Sequence, residues 1–331
     1  MLRSCCGESR RSLLRIVRPS VGCAVMVFLG SLMTIAEEPM SKHAKNEDLS
    51  GVTDVVSLDE SDLKESSGLA ISHREPLHFW SHNDSGGEAR LYAFDSTGHK
   101  TGHLNLKSTK FEDWEDLSAF VQDGVPRLLI ADCGDNDFER SHARIHLFDE
   151  PDPTKKTTLD DDDIQTLRVT YEDGPQDCEA VAVDVSRGLI ILVSKTKLPY
   201  CGVYAIPLPP RTNKQGDMQV TAKRVCSLPI PMVTALDVDA NNGDLWLVSY
   251  FHALCYRCTS RLMPLHAQFS GSPEIYELPR WKQIEAVAID GDHNVWLTSE
   301  GKKAPLGRLT LEALAAQRAR LLKSVKETKR Q

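Results

Sequence analysis

Five short segments of one kind recur along the chain: SGLAIS at 67–72, EDLSAF at 115–120, EAVAVD at 179–184, TALDVD at 234–239 and EAVAID at 285–290. Successive copies start 48, 64, 55 and 51 residues apart, in or above the interval that one four-stranded propeller blade occupies. A period of this size restricts the chain to stacked or radially arranged units, since one unit cannot bury its apolar face alone. Each opening is followed by a strongly apolar run: LHFWSH (77–82), PRLLIADC (126–133), LIILVSK (189–195), DLWLVSY (244–250) and NVWLTSE (294–300). From the first residue of each opening to Ser81, Ala131, Ser194, Ser249 and Ser299 the offset stays within 14 to 16 residues, so the hairpin register is held.

Third strands are expected at 90–95, 144–149, 202–207, 253–258 and 306–311, and fourth strands at 102–106, 166–171, 223–228 and 274–278. The fifth unit lacks a fourth strand, whereas VTDVVSLDE (52–60) has strand character and no unit of its own. Pairing the two protects the open edges. The predicted fold is all-β, a five-bladed β-propeller of four-stranded antiparallel blades closed by an N-terminal strand; six blades is the alternative if 37–60 holds further structure. An acidic insertion over 150–163 is expected as a solvated loop, and 312–331 as a basic C-terminal helix or tail with Leu311, Leu314, Leu321, Leu322 and Val325 broadly on one side.

Five arginines precede an apolar run from Val21 to Ala36, which predicts a signal peptide over 1–36, a linker over 37–51 and a propeller over 52–311. The run is shorter than the ~20 residues of a spanning helix, so no membrane span is expected after cleavage, and the location is secreted or periplasmic. Removing residues 1–36, with five Arg and Glu8, takes the formal charge from −8 to −12. Such a surface argues against duplex nucleic acid and for cations. A monomer is expected. Six cysteines remain (Cys133, Cys178, Cys201, Cys226, Cys255 and Cys258), permitting disulfides whose pairing the sequence does not choose.

The first strand of every blade lines a propeller's channel, so Ser67, Glu115, Glu179, Thr234 and Glu285 are expected to converge on one axis. Three carboxylates held close together repel unless a cation or a proton intervenes. With two hydroxyls and waters they make a calcium set of six to eight oxygens. The competing reading has each Glu accepting backbone hydrogen bonds from a neighbouring blade.

First and second strands are antiparallel, so the loops at this mouth gather His82, Asn83 and Asp84; Asp135 and Asn136; Lys195; Tyr250 and His252; and Glu300, with Asp113, Trp114 and Asp177 entering the first strands. A small-molecule or polymer ligand is expected there. With a bound metal, Asp84 or Asp135 is the candidate general base and Lys195 the candidate oxyanion stabiliser. Ordinary turn chemistry explains HNDSGG (82–87) and DCGDND (132–137) equally well. No Gly-x-Ser-x-Gly elbow, H-E-x-x-H helix or phosphate-binding Gly-Lys-Ser/Thr loop occurs.

The order hydroxyl, Glu, Glu, hydroxyl, Glu across the five openings resembles the soluble calcium-activated nucleotidases, or apyrases. The resemblance implies a five-bladed propeller with calcium in the central tunnel, ligated once per blade at the start of the inner strand. That family's Asp-Asp-Arg-Thr-Gly loop is replaced here by HNDSGG, with no Arg after Asp84. The chain is also similar to uncharacterised exported bacterial propellers carrying DWED, GDN and EA motifs. Two functions stay open: a calcium-dependent exported hydrolase of phosphate esters or anhydrides, and a non-catalytic binding propeller with a structural metal.

Overall fold

Each opening becomes the first strand of an antiparallel meander in the computed structural model, which describes residues 48, 50–85, 88–107, 112–197, 199–211 and 217–328. After β1 (Thr53–Ser57) the first meander runs β2 (Ser66–Ile71), β3 (His78–Asn83), β4 (Arg90–Asp95) and β5 (Lys100–Leu106). The second comprises β6 (Trp114–Gln122), β7 (Val125–Asp132), β8 (Ala143–Asp149) and β10 (Gln165–Tyr171), with β9 (Lys156–Leu159) between the last two. The third is β11 (Cys178–Asp184), β12 (Leu189–Ser194), β13 (Cys201–Pro207) and β14 (Met218–Leu228). The fourth is β15 (Val233–Val238), β16 (Leu245–Ser249), β17 (His252–Tyr256) and β18 (Glu274–Glu277), and the last is β19 (Ile284–Ile289), β20 (Val295–Ser299) and β21 (Pro305–Leu309). Helices α1 (Leu265–Phe269) and α2 (Leu311–Thr328) complete the described chain, which falls within the unit Glu47–Gln331. The leader expected over 1–36 and nearly all of the linker lie outside the described residues.

The first strands touch in order, β2 with β6, β6 with β11, β11 with β15 and β15 with β19, and β19 returns to β2. Between neighbouring meanders lie apolar layers. Trp80 and Ile130 fill the first, Tyr171 and Tyr204 the second, Val203 and Tyr256 the third, and Trp246 and Val287 the fourth. Across the seam between the last meander and the first, Phe79 and Trp296 pack with rings tilted by 55° and centroids 4.7 Å apart. Each such side chain contributes about 1.5–3 kcal/mol on burial, so packing between meanders holds the ring together. β1 pairs antiparallel with β21, from Thr53 opposite Arg308 to Ser57 opposite Pro305, and supplies the strand that the last meander lacks. The architecture is all-β and propeller-like.

Three expectations need correction. The insertion over 150–163 is not simply a solvated loop. Lys156–Leu159 adds to β5 as a parallel strand, and Glu150 is buried, accepting hydrogen bonds from Trp80 Nε1 and the His73 amide at 3.0 Å each. Gly102 makes this approach possible, because a Cβ there would lie 2.4 Å from the Lys155 carbonyl oxygen. Asp160–Asp163 are exposed, Asp161–Asp163 in a short 3₁₀ turn capped by Asp160, as are Thr154, Lys155, Lys156 and Thr158.

The fourth strand of the third meander is longer than 223–228. Its first half, Met218–Ala222, pairs in parallel with Leu167–Tyr171 of β10 and fuses two meanders into one eight-stranded sheet. The apolar side of α2 is only partly used: Leu314 is buried, while Leu311, Leu321, Leu322 and Val325 remain about half exposed. Gln317 anchors the helix by donating from Nε2 to the carbonyls of Ser50 and Glu277, at 2.7 and 3.1 Å. The six cysteines expected to remain after cleavage are all free thiols. No helix among the described residues is long and apolar enough to cross a membrane.

Candidate functional site

One residue near the start of every first strand is skipped by the ladder. In β2 the pairing passes from Ser66 to Gly68, in β6 from Trp114 to Asp116, in β11 from Cys178 to Ala180, in β15 from Val233 to Ala235 and in β19 from Ile284 to Ala286. The skipped residues are Ser67, Glu115, Glu179, Thr234 and Glu285. A bulge frees a residue from its partner and re-aims its side chain. The repeat seen in the sequence is therefore a repeat of bulges at matching positions of the five first strands, and all five residues are at most 5% exposed.

The five divide by chemistry. Ser67 donates its hydroxyl to the Glu115 carbonyl (2.9 Å), and Thr234 donates to that of Ile284 (3.0 Å), so each hydroxyl staples one first strand to the next. Glu179 faces Lys195 Nζ at 3.0 Å. Glu285 accepts hydrogen bonds from the Tyr250 hydroxyl (3.0 Å) and Gln283 Nε2 (3.3 Å). Glu115 lies with Asp84 and Asp113, one oxygen from each carboxylate falling within 4.8 Å of the others.

Gly134 makes room for that trio. A Cβ at this position would lie 2.1 Å from Glu115 Oε1 and 2.3 Å from Asp113 Oδ2, so the backbone must approach without a side chain. Asp132, fully buried, accepts a hydrogen bond from the Asp113 amide (3.1 Å) and is held by Arg140 at 2.9 Å.

Burial, followed by the charges of Glu179, Asp84 and Asp113, pushes Glu115 well above the ordinary carboxylate range. Burial and then Asp113 raise Asp84 to about 8, and burial followed by Glu300 raises Glu285 to about 7. Burial also raises Asp113 and Glu179, the latter against the pull of Lys195. On Lys195 burial acts against the charge, but Glu179 overcomes it and holds the ammonium above its usual value. Asp84 Oδ1 is removed from solvent and has no hydrogen-bond partner. Three convergent carboxylates, one with an orphaned oxygen, form a hard-oxygen set that fits a divalent cation such as calcium.

Other expected mouth residues are placed differently. His82 is fully buried, its ring edge-on to Trp114 at 5.5 Å and its Nδ1 bonded to its neighbour's carbonyl; burial lowers it to about 4. Trp114 is core as well, so neither lines the mouth. Asn83 spends its amide on the loop before β2, accepting from the Lys64 and Glu65 amides and donating to the Asp62 carbonyl. Asp135 caps its own loop by accepting from the Glu139 and Arg140 amides at 2.9 and 3.1 Å, which takes its carboxylate away from a general-base role.

Asp177 accepts from the Asp135 amide (2.9 Å) and ties this loop to the next meander. Asn136 and His252 are exposed, and Glu300 sits beside Glu285 with Lys282 at 3.6 Å. Gly86 and Gly87 of HNDSGG lie outside the described residues.

Two acidic residues that link the first strands are not singled out by the sequence. Asp116, fully buried, accepts from the amides of Leu117 (2.8 Å), Val181 (2.8 Å) and Leu236 (3.2 Å), joining β6 to β11 and β15. Asp237 accepts from Val238 (2.8 Å) and from Ile289 (2.7 Å) of β19. Their only signal was an acidic residue at an otherwise apolar strand position.

No family model and no curated sequence matches the chain. Among solved structures, the Malassezia sympodialis allergen Mala s 1 is similar at a TM-score of 0.51 and 13% identity, over 77% of this chain and 96% of that one. A calcium structure of a Trichoderma reesei carbohydrate-active enzyme of family AA12 is similar at 0.50 and 10% identity, over 76% and 82%. A glucose dehydrogenase is similar at 0.46 and 10% identity, over 77% and 99%. The resemblance to calcium-activated nucleotidases is accordingly corrected: no family model matches, the likeness to Mala s 1 and to the family AA12 enzyme is to a distant all-β fold, and the order of ring residues does not mark the nucleotidase family. At these identities the likeness is one of fold, and the chain is propeller-like.

Proposed function

We propose that this chain is a five-bladed propeller that binds calcium at one channel mouth and uses it to hydrolyse a phosphate ester or anhydride. The observation that carries the reading is the trio Asp84, Asp113 and Glu115, with its orphaned oxygen, next to the Glu179 carboxylate that holds the Lys195 ammonium. Five blades agree with the five first strands in a closed circuit of contacts. A bound calcium would supply charge to a phosphoryl oxygen and acidify a water. Asp84 would be placed to take a proton from an attacking water, and Lys195, held by Glu179, would face charge developing on the substrate. The other carboxylates at the mouth select against an uncomplexed anion, so substrate arrives with the metal.

Export on residues 1–36 to a secreted or periplasmic location, action as a monomer, and a propeller over 52–311 followed by a basic helix belong to the same reading. A specific observation favours a second one, a binding propeller with a structural metal. Lys195 already neutralises Glu179, and the Ser67 and Thr234 hydroxyls are spent on carbonyls, so much of the ring serves architecture. Metal analysis of the purified protein and of Glu115→Gln, with phosphate release from monoesters and nucleotides under calcium and under chelator, separates the two. Metal with calcium-dependent release supports the hydrolase; metal without release leaves the binding propeller. A metal-free wild type that calcium does not stabilise refutes both.

A further inference from the structure

A second cavity, of about 470 Å³, opens where the first strands end, at the far mouth of the channel from the carboxylate trio. Leu69, Ile71, Leu117 and Ile289 are among its walls, and half-buried Asp237 lies with them. The Asp237 carboxylate accepts two backbone amides, one at each oxygen, out of about four positions that a carboxylate offers. Asp290 at the same mouth is committed elsewhere, accepting from the amides of Asp292 and Asn294, from Asn294 Nδ2 and from Trp296 Nε1. Neither Lys nor Arg is among the described residues lining the cavity, where His73 alone can carry positive charge.

We propose that this cavity binds an amphipathic primary ammonium, its short aliphatic chain along the apolar walls and its charged head at Asp237. An anion is repelled by Asp292 and by Asp237, whose carboxyl burial raises to about 7, so that titration at pH 8 keeps it ionised. A neutral apolar ligand would strip water from a carboxylate and return no partner, which is costly. A lone calcium finds only the carboxylates of Asp237 and Asp292 free to turn to it, where it needs six to eight oxygens. An alkylammonium meets both halves of the site, three donors for the carboxylate and methylenes for the walls. This site does not depend on the hydrolase reading, since it shares no residue with the trio.

The test is calorimetric titration of the purified protein with n-butylammonium, n-hexylammonium, n-hexanol and hexanoate. Hexylammonium is expected to bind one to one, roughly 15-fold more tightly than butylammonium, from about fourfold per buried methylene. Hexanol is expected to bind at least about tenfold more weakly than hexylammonium, from the lost charged hydrogen bond, and hexanoate not at all. Asp237→Asn should abolish the preference for ammonium over alcohol. Because that variant disturbs a strand-to-strand bond, Ala240→Arg at the exposed rim gives a second arm, weakening hexylammonium while leaving the fold untouched. Glu115→Gln at the other mouth should bind hexylammonium as wild type does. Equal binding of hexanol and hexylammonium, binding insensitive to Ala240→Arg, or binding lost in Glu115→Gln would each overturn the proposal.

Discussion

Replacing Asp116 by Ala should be among the most damaging single changes in this molecule. Its carboxylate is the shared acceptor of the Val181 and Leu236 amides, which belong to two other first strands and are closed off from water. Each amide left without an acceptor costs about 1–3 kcal/mol, so these two predict a loss of about 2–6 kcal/mol before any cost at the adjacent Leu117 amide, which Asp116 also accepts. Against the ~5–15 kcal/mol that holds a typical domain this is a large share. At about 2–4 °C per kcal/mol the melting temperature should fall by roughly 5–20 °C. Asp116→Asn keeps one oxygen and should lie between Ala and wild type. Guanidinium unfolding with an unchanged slope measures the difference directly. Less than about 1 kcal/mol lost in the Ala variant would refute the argument, because it would mean that the two amides find other partners at no net cost.

Three further outcomes are expected. Gly134→Ala places a methyl group against Glu115 and Asp113, so the rise in melting temperature that calcium is expected to give the wild type should be lost, although the metal-free variant still folds; an undiminished calcium shift counts against the trio as ligands. Under chelator, stability should decline as pH rises from 6.5 to about 8.5. Asp84 (about 8), Asp237 and Glu285 (both about 7) have folded values above their unfolded ones, so folding takes up protons that rising pH removes. His82 and His146, lowered to about 4, act in the opposite sense only below their unfolded range, and a melting temperature that climbs over this window would contradict the assignment. Gln317→Ala removes both bonds to the Ser50 and Glu277 carbonyls and should release α2 by about 1–3 kcal/mol. Hydrogen exchange should then rise in α2 and stay unchanged in β6 and β11.

The repeat made the fold legible because its cause is local. Alternating apolar residues and a fixed hairpin offset place the first three strands of each meander within one or two residues, and the strand at 53–57 closes the ring as its orphan status implied. What the sequence hid depends on contacts between segments far apart. The parallel addition of Lys156–Leu159 rests on a bare Gly102, and the fusion of the second and third meanders rests on the overhang of β14.

The site was legible in one dimension only. Its ring level was visible, but not which carboxylates meet. Asp84 and Asp113 join Glu115 because Gly134 lets one loop close on another, whereas Glu179 turns to Lys195. His82 and Trp114 looked like mouth residues by position alone. Their apolar surroundings, set by Gly68 and the facing sheet, decide otherwise.

The pairing of β1 with β21 bears on the order in which the molecule is made. A chain synthesised from its N-terminus offers β1 early and its partner only after about 250 further residues, a wait of roughly 12–50 s at ordinary elongation rates. Throughout that interval Val55 and Val56 have no sheet to join, and the circuit of first strands is open between β2 and the unmade β19. Closure of the ring waits for β21, so a chain truncated before Leu309 loses the clasp along with the strand, and a ribosome stalled there leaves an unpaired edge for other chains to find.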